Sequence, residues 1–149
     1  MVQKGGKLMN ILQKKIMLST LLKLQLFYCF LGIGYNIVSY ILAMSGGRQL
    51  SSTSPVIGTI FMSVYGLCLM AGYKGFYKTY RLLMLFFLVS SGYGGVIKHF
   101  IVYSQQPEAY ASFSAWISAI GINFFGFLLN LMAVAGRFED ESMEKLSST

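Results

Sequence analysis

Four long apolar runs divide the chain, with short polar segments between them. They cover residues 24–44, 55–73, 82–103 and 113–135. About 20 residues of α-helix cover the ~30 Å hydrocarbon core of a bilayer, so each run is close to the length needed to cross it. Because the apolar residues come as runs and not as a narrow stripe, lipid is the expected solvent. The pattern predicts an all-α fold, a four-helix transmembrane bundle with short loops over residues 24–136.

The polar breaks contain the residues that usually start and end helices. Two glycines followed by Arg48 end the first run, and Pro55 stands at the first turn of the second, where proline is best tolerated. Gly136 and Arg137 end the fourth run. Residues 137–149 are therefore predicted to form a polar C-terminal tail.

The first 23 residues form a basic segment before the first run. They contain five lysines, with Leu8, Leu12 and Ile16 at helical spacing between them. This pattern predicts an amphipathic helix on an anionic membrane surface, and a solvated tail is the alternative. Lysines before an apolar run also occur in signal peptides. Here Lys23 interrupts the run and no small-residue cleavage site follows, so we expect the first run to be retained.

Composition supports lipid as the solvent. The chain is 55% hydrophobic and only 11% charged, with a mean hydropathy of +0.60. Soluble domains have roughly 25% charged residues. The net charge of +7 could suit nucleic acid, but the lysines and arginines lie at the ends of the apolar runs. We therefore expect the lipid bilayer, and not nucleic acid, to be the partner of these charges.

The same charges predict an orientation. With four spans, the N-terminal segment, the second loop and the C-terminal tail lie on one side, with ten of the twelve Lys and Arg residues. The other side has Arg48 and, if its side chain extends outward, Lys98. The positive-inside rule then places both termini in the cytoplasm. A bacterial cytoplasmic membrane is the expected location, with an organelle inner membrane as the alternative.

Each predicted span has one hydrogen-bonding side chain near its middle. These are Asn36, Tyr65, Tyr93 and Asn123. Such groups turn inward, because leaving them in hydrocarbon costs several kcal/mol. They could form a polar pocket for a ligand or a transported species. The alternative, which we favour, is that they only link helices, at about 0.6 kcal/mol for each hydrogen bond.

Other residues are assigned to packing and to the membrane interface. Trp116, Asn123, Asn130 and Arg137 are spaced by seven and so share one face of the fourth helix. Trp116, Arg137 and Lys98 are predicted interface anchors. Small or polar residues are expected where helices approach closely, and they are Gly32, Gly66, Ser91, Gly95 and Asn130.

No catalytic or metal-binding constellation is evident. All five acidic residues lie outside the predicted spans, so the intramembrane carboxylate typical of proton-coupled transport is missing. The one histidine, His99, has no metal-ligating residue at a suitable spacing, and we expect a neighbour or a lipid headgroup to satisfy it. Cys29 and Cys68 lie inside apolar runs, where a disulfide is not expected. We predict no catalytic residue, no metal and no cofactor.

These features favour a non-catalytic accessory or assembly subunit. Such a protein packs against other membrane helices or against copies of itself. The alternative is a ligand-binding or transport module that uses the polar groups near the midplane. An enzyme ranks third, because it would need a cofactor or groups from another chain.

Overall fold

A computed structural model of the chain describes residues 15–139 and is mostly helical (79%). Four helices are long and apolar enough to cross a membrane, by length and composition, as the sequence predicts. Residues 1–14 and 140–149 lie outside the described part, and with them most of the predicted surface helix and tail. The helices are α1 (Leu18–Met44), α2 (Pro55–Tyr73), α3 (Tyr77–Gln105) and α4 (Phe113–Val134).

The helix ends follow local chemistry. Pro55 is at the first turn of α2, as expected, and the side chain of Ser112 caps α4 by accepting a hydrogen bond from the Ala115 amide at 3.1 Å. Helix α1 begins at Leu18 and not at the expected residue 24. The reason is that Leu21 and Leu22 are buried in the core, so the last turns of the predicted surface segment belong to this helix.

The helices pack most closely in the order α2, α1, α4, α3. Helix α1 packs on α2 and α4, and α4 packs on α3. Helices α2 and α3 join through a tight turn at Gly75, which has a φ of +76°, and beyond it they contact each other less closely, through rings such as Phe61, Tyr65 and Phe87. We call the end with this turn the terminal end, since Lys15 and Glu139 also lie there. The other end, with residues 45–54 and 106–112, is the loop end.

Contacts at the terminal end fasten the helices together. Ile16–Met17 (β1) pairs in parallel with Phe138–Glu139 (β2). The Arg81 guanidinium donates to the Val134 carbonyl from Nε at 3.1 Å and from Nη2 at 2.7 Å. This satisfies a carbonyl at the end of α4, which has no partner within its own helix.

The middle of α3 is a π-helix, Ser91–Ile97, in the part of the sequence with the least side-chain bulk. Two of its three glycines, Gly92 and Gly95, lie against α4. A Cβ at Gly95 would come within 2.3 Å of Asn123 Oδ1, and one at Gly92 would come within 3.1 Å of Phe127. The close approach of α3 and α4 therefore requires glycine at position 95. Short π-helical stretches are frequent at functional sites.

The outer surface of the helices is strongly apolar. Phe30, Leu67 and Leu82 are 64%, 71% and 69% exposed. Apolar exposure on this scale is unusual for a soluble monomer and suits contact with lipid.

Candidate functional site

A cavity of about 280 Å³ lies among the four helices, in the half of the molecule nearer the loop end. This volume is close to the lower limit of ligand pockets, roughly 300–1,000 Å³. Part of its lining is apolar, with Ile57, Phe61, Met62 and Ile122. The polar part is contributed by α1, the first loop, α3 and α4, and consists of Tyr28, Tyr35, Asn36, Ser51, Thr53, Ser90, Ser91, Lys98, His99 and Asn123.

Two asparagines, each opposite a glycine of the neighbouring helix, form the walls. A Cβ at Gly58 of α2 would lie 2.3 Å from Asn36 Oδ1, and a Cβ at Gly95 of α3 would lie 2.3 Å from Asn123 Oδ1. Any larger side chain at either glycine would collide with the asparagine. The two pairs therefore set the width of the cavity.

Both asparagines direct their amide nitrogens to their own helices. Asn36 Nδ2 donates to the Gly32 carbonyl at 2.7 Å, and Asn123 Nδ2 donates to the Ala119 carbonyl at 2.8 Å. Their Oδ1 atoms accept no hydrogen bond from any residue that the structure describes, and neither atom is fully buried. Two amide oxygens with free acceptor capacity therefore lie at the cavity.

Aromatic rings form the floor. Tyr28, which is 2% exposed, packs edge-on against Tyr65 with ring centroids 5.2 Å apart. Phe87 continues the layer at 4.9 Å from Tyr65 and 5.1 Å from Phe61. The Tyr28 hydroxyl makes no hydrogen bond to the described part of the chain. Tyr28 lines the cavity, and the tip of its ring lies against Gly126 of α4.

The first loop folds inward as part of the roof. The Tyr35 hydroxyl lies 2.9 Å from the carbonyl oxygens of both Leu50 and Ala115. The Leu50 amide donates to Ser39 Oγ at 2.9 Å. These bonds hold the loop against α1, so that Ser51 is only 4% exposed and lines the cavity.

A second group of hydrogen bonds, which we call the latch, joins both loops to α3 and α4. His99 Nδ1 lies 2.6 Å from the Tyr110 hydroxyl, which lies 3.2 Å from Ser52 Oγ. Trp116 Nε1 donates to the His99 carbonyl at 3.1 Å. Burial raises the pKa of the Tyr110 hydroxyl, which therefore stays protonated at neutral pH. With Nδ1 engaged, Nε2 of His99 is left without a partner among the described residues.

Above the cavity, a polar vestibule of about 470 Å³ opens at the loop end. Arg48, Lys98 and Glu108 line it, and both Lys98 and Ser51 also line the cavity. Neither Arg48 nor Lys98 forms an ion pair within residues 15–139. An ion pair does join Lys15 to Glu139, 3.6 Å apart at the terminal end.

Below the aromatic floor, four buried side chains form a hydrogen-bonded group, the tetrad, with one member from each helix. They are Gln25, Tyr65, Tyr80 and Asn130, all 0% exposed. Tyr80 donates to Gln25 Oε1 at 2.5 Å, and Gln25 Nε2 donates to Asn130 Oδ1 at 3.2 Å. Tyr65 donates to the same Asn130 oxygen at 3.0 Å. Asn130 Nδ2 has no partner within the described residues.

The structure separates the four predicted midplane residues. Asn36 and Asn123 line the cavity, whereas Tyr65 lies in the tetrad beneath it. Tyr93 is 64% exposed on the outer face of α3 and joins neither group. The reason is that Ser91 and Gly95 take the inward face of the π-helix, which turns Tyr93 outward.

The predicted packing residues lie between helices. A Cβ at Gly32 would come 2.7 Å from Met62 Cε, and one at Gly66 would come 3.1 Å from Cys29 Sγ, so both glycines mark the contact of α1 with α2. Cys29 and Cys68 are free thiols. Asn130, also a predicted packing residue, accepts two hydrogen bonds within the tetrad.

The three predicted anchors lie near the helix ends. Trp116 stacks on Tyr103 with centroids 4.2 Å apart, close to the latch. Lys98 lines the vestibule, and Arg137 is exposed at the terminal end.

Two residues of the tetrad were missed in the sequence. Tyr80 lies before residue 82, where the third span was expected to begin. Gln25 lies at the start of the first predicted span, residues 24–44, and was not singled out. The sequence feature that could have identified Gln25 is a glutamine within an apolar run, because an amide in that position needs a partner on another helix.

Within residues 15–139, no group of three His, Cys, Asp or Glu side chains is close enough to hold a metal ion. Comparison of the chain with protein-family models, curated proteins and solved structures finds no match.

Proposed function

We propose that the chain is a transmembrane four-helix bundle that binds a small molecule in the cavity, the ligand-binding alternative of the sequence analysis. The observation that carries this proposal is the pair of asparagines that line the cavity, Asn36 and Asn123. Their amide oxygens accept no hydrogen bond from any described residue, and neither oxygen is fully buried. A polar group that is left without a partner in a hydrocarbon environment costs about 1–3 kcal/mol. Water or a ligand in the cavity would remove that cost.

The polar residues of the cavity and those of the tetrad differ in their hydrogen-bond partners, and this difference supports the same proposal. The tetrad links all four helices through hydrogen bonds between side chains. Asn36 and Asn123 bond only to carbonyls of their own helices, so holding the bundle together does not require them. Placing polar side chains within the hydrocarbon region costs free energy, and such side chains usually have a function. This favours a binding role for Asn36 and Asn123. Association with other membrane helices stays a prediction.

Orientation in the membrane is part of the proposal, and it rests on the charge asymmetry of the loops. With the terminal end in the cytoplasm, the vestibule faces the opposite side. A reporter enzyme that is active only in the cytoplasm, fused after Thr149, is expected to be active. The same reporter inserted in the loop after Arg48 is expected to be silent. The reverse pattern would contradict this orientation.

Access to the cavity can be measured with a small, membrane-impermeant thiol reagent. Cysteine is placed at Ser51, Asn36 or Asn123 in a chain that has Cys29→Ala and Cys68→Ala. All three positions line the cavity, and Ser51 also lines the vestibule. We expect modification from the loop end at each position, fastest at Ser51, because the thiolate that reacts forms only in contact with water.

Matched controls are cysteines at Gly34 and Gly121. A Cβ at either glycine would meet nothing within 4 Å, so the substitution fits, and both positions are exposed on the outer, lipid-facing side of their helices. They are expected to stay unmodified in the bilayer. The proposal is wrong if Asn36 and Asn123 cysteines react no faster than these controls.

A further inference from the structure

We propose that the cavity and vestibule together bind an amphiphile with an anionic head group, the head at Lys98 and the apolar chain among the helices. This inference rests on the proposed function and names the ligand class of the same site. Two observations support it: the positions of the charged residues at the vestibule, and the opening of the cavity toward the outer surface between α2 and α3.

The charges favour an anion at the mouth of the cavity. Among residues 15–139, no acidic residue lines the cavity itself, and Lys98 is the one charged residue of its lining. In the vestibule, Lys98 and Arg48 outnumber Glu108, and none of the three forms an ion pair within the described part of the chain. Two cations at a partly apolar opening attract anions and repel cations.

Lys98 is placed at the junction of the two spaces, because it lines both. A head group bound to its ammonium would also be close to Ser51, which lines both spaces, and to His99, which lines the cavity. Hydroxyl and imidazole groups can donate hydrogen bonds to carboxylate or phosphate oxygens. The mouth therefore has both the charge and the donors for such a head group.

The apolar chain has a route into the cavity between α2 and α3. Helix α2 does not pack closely on the π-helical part of α3, and these helices meet only lower down, where Phe61 lies against Phe87. Ile57 lines the cavity and is at the same time 65% exposed, so the cavity reaches the outer surface of the bundle beside it. That surface is the one that faces lipid.

The volume limits the size of the chain. At about 30 Å³ for each water molecule, the space of about 280 Å³ corresponds to roughly nine waters. One alkyl chain of moderate length fits, whereas two full-length chains of a phospholipid do not. The anionic head could belong to a free fatty acid or to a phospholipid that inserts one chain.

Binding can be followed through the one tryptophan of the chain, Trp116, which donates to the His99 carbonyl above the cavity. The protein in a neutral maltoside detergent is titrated with decanoate, with decyltrimethylammonium and with decanol. We expect decanoate to change the fluorescence and to raise the Tm at the lowest concentration, because only it pairs with Lys98. Dioctanoyl phosphatidylglycerol, with the matching phosphatidylcholine as control, tests the phospholipid source, and inorganic phosphate tests a free anion.

Variants separate the role of Lys98 from a general effect of charge. Lys98→Gln is expected to weaken decanoate binding about tenfold or more while leaving decanol binding unchanged. Lys98→Arg should retain the preference for the anion. Lys74→Gln, at an exposed position in the turn of the terminal end, is the matched control and should behave as the wild type.

The outcomes distinguish this inference from the proposed function. Equal affinity for the three decyl compounds, or a preference for decanoate that survives Lys98→Gln, would overturn the anionic ligand and leave a binding cavity. Binding of phosphate alone as tightly as of decanoate would overturn the amphiphile. If no compound binds while the cysteine at Asn123 still reacts, the ligand class is wrong. If that cysteine is also unreactive, the proposed function fails as well.

Discussion

Gly95→Leu is expected to destabilise the bundle more than any other single substitution on α3. A Cβ at this position would lie 2.3 Å from Oδ1, 2.4 Å from Cγ and 2.7 Å from Cβ of Asn123. The last of these atoms is fixed by the backbone of α4, so rotation of the asparagine cannot relieve the collision. Overpacking of a core costs typically about 1–3 kcal/mol, and here the two helices must also separate. Thermal unfolding in detergent measures the effect as a large fall in Tm.

Gly94→Leu is the matched control, one residue away on the same π-helix. A Cβ at Gly94 would meet nothing within 4 Å. Leucine also favours helix over glycine by roughly 1 kcal/mol, so we expect an unchanged or higher Tm. Leu85→Ala, at a side chain that is 43% exposed, should cost little. Equal Tm values for Gly95→Leu and these two variants would show that the contact of α3 with α4 at Gly95 is not required.

Gln25→Leu is expected to have the second largest effect, because Gln25 bonds to two other members of the tetrad. Its loss leaves the Tyr80 hydroxyl without its acceptor and removes one donor from Asn130 Oδ1. Each buried group left unsatisfied costs about 1–3 kcal/mol. Asn123→Leu, by contrast, removes a bond within one helix and should cost about 1 kcal/mol or less. Comparison of the two Tm values tests which group of polar residues holds the helices together.

A double-mutant cycle separates the network from simple packing. Tyr80→Phe removes the donor that Gln25→Leu leaves without a partner, so the double variant should lose less stability than the sum of the two single losses. Additive losses would indicate that the hydrogen bond of 2.5 Å between Tyr80 and Gln25 contributes nothing beyond the packing of its side chains.

The cavity was only half predictable, and particular residues show why. Asn36 and Asn123 were identified because a polar side chain within a long apolar run must find a partner, a requirement visible in sequence. Their partners could not be read in this way. Gly58 and Gly95 face the two asparagines only because each helix has a particular rotation about its own axis. The same sequence pattern predicted that Tyr93 faces inward, whereas in the structure it is exposed on the outer face of α3.

The tetrad shows the same limit for stabilising residues. Asn130 and Tyr65 were singled out, whereas Gln25, at the start of the first predicted span, and Tyr80, just before the third, were not. Helix α1 begins at Leu18, more than one turn before Gln25, so Gln25 lies within the buried part of the helix. The length of an apolar run shows where hydrocarbon can lie, but a helix continues beyond the hydrocarbon wherever another helix covers it.

The sequence by itself determined the four helices and their order. The physical reason is that bilayer thickness sets the length of an apolar run, and glycine, proline and serine act on the backbone next to them; both are local properties. Only the tertiary structure decided which face of each helix turns inward, and with it the tetrad, the latch and the cavity. Those depend on the rotation and separation of the helices, and these follow from contacts such as Gly95 with Asn123, between residues far apart in the chain.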